Sequence, residues 1–334
     1  MSATICFEIV DIDNLIPRAV DNEEYQDENI KKLSPWIFQH CDTAEENCTD
    51  NWPDHEWDLR NLFDDLSSYC AEVKEYNSGS IGVENALRPS EMITLPRKTW
   101  KVPAREDSEP FIRRQGMMLR VLMKIVYFNL DARIQGPKVR FPVSILKMKY
   151  VIGGEKFLTR AEGAATIEGL PIISCTGWFE GQTWREFLEE TISVMLGQLA
   201  KNIRYSSAGI QGQDVFVIGF HGLYIHIARG FFAADVISRI HLKGCRENEV
   251  FKINFSRGYN LCLRKDWFEA TQALSRLYQY LLSGDAKVGA ITSISTKGSR
   301  WQCLNLYQDY WDHTTRIVMR VNSLNKIGLC YIYS

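Results

Sequence analysis

Residues 161–178, AEGAATIEGLPIISCTGW, decide how this 334-residue chain is read. Two short runs of small and β-branched residues flank Glu168-Gly169, a two-residue turn signal, so the segment predicts a β-hairpin. Glu162-Gly163 opens it. Pro171-Ile172-Ile173 returns as a buried strand that ends at Thr176-Gly177-Trp178.

Working outward, 139–152 (VRFPVSILKMKYVI) reads as an extended strand, with Gly153-Gly154 turning it into 156–160. Before it, Pro110 precedes a long helix over 111–130, where Met117, Met118, Val121, Leu122, Ile125, Val126 and Phe128 form a broad apolar face. After the hairpin, Thr183 opens a helix over 183–205 with acids in its first turns. Strands follow at 214–220 and 223–228, turned by His221-Gly222, with a short strand at 251–255 and an amphipathic helix over 266–282. Helix, strand, hairpin, long helix, strand is the order of an α/β (α+β) domain with a mixed central sheet flanked by helices, spanning roughly 110–280.

The first 108 residues read as a separate acidic region and 109–334 as the α/β core with a C-terminal extension. In the acidic region, 4–13 predicts a strand, 28–37 a short helix, and 54–76 an amphipathic helix with Asp54 as its cap. The stretch 77–108, with its SGS and three prolines, lacks any sustained period and reads as a linker. At the other end, 317–321 and 329–333 alternate enough to predict terminal strands.

The net charge of −2 hides an asymmetry. The first 70 residues carry 17 acidic and 4 basic side chains, whereas the rest carry 24 acidic and 35 basic ones. A basic body behind an acidic leader is suited to a polyanionic partner, and it also describes a solvated acidic arm beside a mildly basic domain. The nine cysteines are scattered without a CxxC pair, which speaks against a disulfide framework or a zinc site and for reduced thiols in the cytoplasm or nucleus. The acids among the first fifteen residues argue against a secretory signal. The longest apolar run, 215–232, is too polar to span a bilayer, so no membrane partner is expected.

The element order around Glu162-Gly163 and the Gly169-Leu170-Pro171 turn resembles the PD-(D/E)XK nuclease-like fold, in the divergent versions found in fungal and other eukaryotic proteins. The resemblance covers 109–229, about a third of the chain. It implies that Glu162 matches the first catalytic acid and metal ligand of the family, and that Gln198, in MLGQLAK, corresponds to a glutamine on the helix after the active-site strand. The family's second acid and its lysine would fall at Thr176 and Trp178. Two carboxylates on neighbouring strands hold Mg²⁺ there, and the lysine positions the attacking water and stabilises charge on the phosphate. Threonine brings no charge to a hard cation and tryptophan cannot replace an ammonium, so the resemblance implies a degenerate site. The helix over 111–128 contains no acid to match the one the family carries on its first helix.

Other constellations carry alternatives. Cys175 reads most simply as a small apolar strand residue; with His221 or His226 beside it, it would be a nucleophile. The spacing of His221, His226 and His241 is not a metal pattern. Gly153-Gly154 stands without the glycines or lysine of a nucleotide loop. Lys147 and Lys149 alternate with Met148 and Tyr150, and Lys252 and Arg257 lie in a second basic and aromatic stretch; such residues follow a phosphate backbone or occupy the wet face of a strand. Trp178 would be core or the wall of a pocket. The expectation is a non-catalytic, nuclease-like protein that binds a nucleic acid or a protein and needs no cofactor. One rival is an active Mg²⁺-dependent nuclease using Glu162 with Glu180 or Glu189. The other is a small-molecule enzyme or accessory protein of fungal secondary metabolism, built on the cleft around Glu162, Cys175 and Trp178.

Overall fold

The chain opens with β1 (Ser2–Ile9), whose apolar residues alternate so that Ala3, Ile5 and Phe7 are buried. The computed structural model describes residues 2–18, 33–44, 52–53, 56–76, 90–94, 109–130, 137–179, 181–203, 210–247, 249–283, 286–289 and 291. The strands read at 317–321 and 329–333, and the first half of the short helix read at 28–37, lie outside them; in its second half, 33–37, only Ile37 is helical. The one-turn helices α1 (Ile12–Leu15) and α2 (Ile37–His40) lead to α3 (Trp57–Tyr76), which buries Leu62, Phe63, Leu66 and Tyr69 at helical spacing. Within the stretch read as a linker, β2 (Ser90–Thr94) pairs antiparallel with β1.

Helix α4 (Glu109–Asn129) precedes β3 (Leu146–Ile152) and β4 (Glu155–Ala161), which form a two-stranded hairpin. A single residue, Glu162, separates β4 from β5 (Gly163–Ile167), and β6 (Leu170–Thr176) returns against β5. Next come α5 (Trp184–Ile203), β7 (Gln213–His221), β8 (Tyr224–Phe232), α6 (Ala234–Lys243), β9 (Val250–Phe255) and α7 (Arg264–Leu282). Thr183 caps α5 as a capping box: its backbone N–H donates to Glu186 Oε2 at 2.9 Å and its Oγ1 accepts from the Glu186 backbone N–H at 3.2 Å.

The larger sheet has the order β2-β1-β9-β8-β7-β6-β5. It is mixed: β1 is parallel to β9 and β6 to β7, and the remaining neighbours are antiparallel. β1 therefore lies inside the sheet, between β2 and β9. Two apolar layers cover its faces. One joins α3, α4 and α7 to Ile173, Cys175, Phe216, Ile218 and Phe220. The other joins α5, α6 and the inner side of the β3–β4 hairpin to Ile5, Val217, Phe251 and Ile253.

Small residues let these layers close. A Cβ on Gly197 of α5 would come within 2.4 Å of Thr159 Cγ2 and 3.0 Å of Met148 Cβ, so glycine is what permits α5 to lie flat on the hairpin. The β5–β6 turn has Glu168 at φ 51° and Gly169 at φ 79°, the left-handed pair of a type I′ turn. Glu168 is the only non-glycine residue with positive φ among the described residues. Glu168→Asn, which suits this conformation, is expected to stabilise the fold by about 0.5–1 kcal/mol, measured as a higher midpoint of urea unfolding; an unchanged or lower midpoint would count against the strain.

Candidate functional site

The bend between β4 and β5 builds the site. Glu162 donates its backbone N–H to the Cys175 carbonyl at 2.9 Å, which fixes the bend against β6. Helix α4 presses on the same point, because a Cβ on Gly116 would lie 2.5 Å from the Glu162 carbonyl oxygen. One residue earlier, Gln115 is wholly buried and clamps the chain just past β6. Its Oε1 accepts from the Trp178 backbone N–H at 2.6 Å and its Nε2 donates to the Trp178 carbonyl at 2.9 Å. Tyr69 of α3 extends the clamp, donating its hydroxyl to the Gly222 carbonyl at 2.6 Å and meeting Gln115 Nε2 at 3.4 Å.

The Glu162 side chain is 0% exposed, and Arg160 neutralises it with Nε 3.0 Å from Oε1. The same guanidinium reaches toward Glu109 in the first turn of α4, with 3.7 Å between Nη1 and Oε1, and Glu109 also holds Arg113 at 2.7 Å. A permanent cation thus stands between two carboxylates. Sequence reasoning missed both partners: Glu109 precedes the apolar face of its helix, and Arg160 looks like any basic residue on a strand. The detectable signal was the i, i+2 spacing of Arg160 and Glu162, which places both side chains toward one side of the bent strand.

Thr176 and Trp178 occupy the end of β6. Both are buried, and Thr176 Oγ1 has no hydrogen-bond partner among the described residues. Trp178 packs edge-on to Phe111 and His221, with ring centroids 6.3 and 6.4 Å away. Gln198 of α5 accepts from Ser174 Oγ at 2.6 Å and donates to the Ile172 carbonyl at 3.2 Å, so it fastens α5 to β6. Cys175 points the other way, into the layer with α4 and α7, and burial followed by the charge of Glu162 pushes its thiol far above the usual range. Thr176 lies against Phe187 and Gly219 on the α5 side. His226, paired across the strands with Gly219, and His221, two residues beyond it, face that side too. Cys175 and the two histidines are therefore on opposite faces of the sheet.

His221 and His226 sit among Trp184 and Phe187, and none of their ring nitrogens makes a hydrogen bond of acceptable geometry among the described residues. Burial pulls His221 down to about 4. Burial and then the charge of His221 pull His226 down to about 3, against a smaller opposing pull from the Ser256 backbone. His241 is exposed on α6. Glu189 is buried on α5 within 3.6 Å of Arg185, and Glu180 lies outside the described residues.

The basic candidates divide. Met148 and Tyr150 turn inward on β3, which leaves Lys147 and Lys149 on the outer face of the hairpin. Across from them on β4 stand Arg160 and Leu158, and Lys156, also exposed, extends the same row. Lys147, Lys149 and Lys156 form no ion pair with a described residue. Lys252 is exposed on β9, but Phe251 and Ile253 beside it enter the layer under α5, so Lys252 points to the opposite face of the sheet. Arg257 donates to Asp266 at 2.7 Å and Glu269 at 2.8 Å, and stacks 4.7 Å over Tyr259. Its charge is spent inside the fold.

Among the described residues, no three His, Cys, Asp or Glu side chains converge to hold a metal ion, and at the bend Glu162 and Glu109 both face the Arg160 guanidinium. This donor set does not fit Mg²⁺, which takes six oxygens in an octahedron. An apolar cavity of about 140 Å³ lies elsewhere, between β3, α5 and α6, lined by Tyr150, Leu199, Phe232 and Ile240. Among the described residues no helix is long and apolar enough to cross a membrane. No protein-family model matches the chain, and no curated protein matches its sequence.

Arg160→Ala would remove the guanidinium that pairs with buried Glu162 and is expected to cost about 3 kcal/mol, with Arg160→Lys recovering part of it; equal urea midpoints for wild type and Arg160→Ala would remove Arg160 from this role. The histidines set an acid limit. Their folded pKa values lie below the unfolded value near 6.5, so the unfolded chain binds protons first, and stability falls as pH drops from about 6.5 toward 3. Each contributes a slope of up to about 1.4 kcal/mol per pH unit. Between pH 7 and pH 5, His226→Phe should lose less stability than wild type; parallel losses would show that His226 is not the source.

Proposed function

We propose that this chain is a PD-(D/E)XK-like protein whose hydrolytic centre is replaced by an internal ion pair, and that it acts by binding nucleic acid on the outer face of the β3–β4 hairpin. The observation that carries the reading is Arg160, whose guanidinium occupies the space between Glu162 and Glu109. Supporting it are the element order, a helix followed by two antiparallel hairpins that meet at Glu162, a second helix and a strand parallel to β6. On this reading Thr176 and Trp178, both buried, take the place of the family's second acid and lysine. A guanidinium balances buried carboxylates without binding water as a nucleophile, so the arrangement stores charge and activates nothing.

The hairpin supplies the contact surface. Lys147 and Lys149 lie on one strand with their side chains about 7 Å apart at two residues' rise, and Lys156 continues the row on the neighbouring strand. Leu158, 48% exposed, sits among them as an apolar contact. Three lysines that form no ion pair with a described residue, set on a two-stranded ribbon, provide the phosphate-neutralising charge that dominates nucleic-acid affinity. A protein partner with an acidic surface is the second reading, favoured by the exposed Leu158 at the centre of the patch.

Fluorescence anisotropy with labelled single- and double-stranded DNA and RNA, in Mg²⁺, Mn²⁺ or EDTA, tests this. The expected result is salt-sensitive binding without cleavage, weakened roughly tenfold or more at 0.1 M salt by Lys147→Glu with Lys149→Glu. Metal-dependent cutting abolished by Glu162→Ala would overturn the non-catalytic reading, and absence of binding to every probe would sink its nucleic-acid part and leave the protein partner.

A further inference from the structure

We infer that Cys70 and Cys262 form an oxidation site that closes to a reversible disulfide, joining α3 to the loop before α7. Their Sγ atoms are 3.4 Å apart although the residues are separated by 192 positions in the chain. A disulfide needs about 2.05 Å between the sulfurs, so closure asks for little more than 1 Å of movement, within reach of small side-chain rotations.

The backbone on each side is held. Cys70 lies within α3, next to Tyr69, whose hydroxyl is bonded to the Gly222 carbonyl. Cys262 donates its N–H to Asn260 Oδ1 at 3.0 Å, and its carbonyl accepts from the Ala44 N–H at 2.8 Å. Both residues keep a small exposure, 7% and 8%, so a small oxidant reaches them while a second protein does not. The scattered cysteine positions carry no disulfide pattern; only the packing of α3 on the core brings these two together.

The oxidant is a peroxide. One thiol ionises and its thiolate attacks a peroxide oxygen; the O–O bond breaks, and with hydrogen peroxide the departing hydroxide takes up the thiol proton, so that the products are a sulfenic acid and water. The partner thiol, as thiolate, then attacks the sulfenic sulfur; the S–O bond breaks, a second water leaves with the thiol proton, and the S–S bond forms. The two sulfurs lose two electrons in total and the peroxide gains them. A dithiol reverses the step. The closed disulfide removes conformational freedom from a long stretch of unfolded chain and ties α3 down, so the oxidised form is the more stable one.

The test uses the full chain, reduced, exposed to hydrogen peroxide, denatured in N-ethylmaleimide and digested for mass spectrometry. The expected result is a linked peptide pair containing Cys70 and Cys262, lighter by two hydrogens than the separate peptides, lost on dithiothreitol treatment. Thermal unfolding of the oxidised protein should rise by about 5 °C, and not in Cys70→Ala or Cys262→Ala, where alanine keeps a small apolar side chain in place. Recovery of both cysteines as alkylated thiols, oxidation of either to sulfinic acid without a crosslink, or linkage of either to another cysteine would overturn the assignment. It does not depend on nucleic-acid binding.

Discussion

The contact between α4 and the bend at Glu162 is the constraint on which the rest of the site depends. Gly116 lets the helix backbone touch the Glu162 carbonyl, and Gln115 beside it holds the Trp178 backbone by both its N–H and its C=O. Two strand ends and one helix are thereby fixed within a few ångströms. Burying an uncharged amide against an otherwise unpaired peptide group satisfies all the polar atoms at once, which a carboxylate or an apolar residue at 115 would not.

That geometry leaves Glu162 inside the protein, where an unbalanced carboxylate would be costly. Arg160 removes the cost from within the same strand, and Glu109 gives the guanidinium a second acceptor. The proposed loss of hydrolysis and the stability of the bend are then one arrangement: a cation built into the chain beside the buried carboxylate. The lysines next to it on the hairpin, Lys147, Lys149 and Lys156, form no ion pair with a described residue.

Most elements were legible because their periodicities are strong. The long helices and the 161–178 hairpin follow from apolar spacing and the Glu168-Gly169 turn, and Thr183 marks its helix start through a real capping box. β2 was missed because strand pairing, not local pattern, holds Ser90–Thr94 in place. α6 was missed because ten residues with only Ile237 and Ile240 buried give a weak signal beside the apolar run before them. The site was half legible. Glu162 stood out, and Lys147 and Lys149 do share an exposed face, but Arg257 is consumed by Asp266 and Glu269, which the fold of the loop onto α7, not a periodic spacing, brings to it.

The amino-acid sequence alone determined the mixed α/β class, the hairpin around Glu168, and the absence of charge at Thr176 and Trp178, because these rest on composition and on spacings of a few residues. Only the tertiary structure decided that β1 runs inside the sheet beside β9, that Arg160 lies between Glu162 and Glu109, that Cys175 and the histidines face opposite ways, and that Cys70 meets Cys262. Each of these joins residues distant in the chain or chooses which side of a strand a side chain takes, and the packing of the layers on the sheet makes that choice.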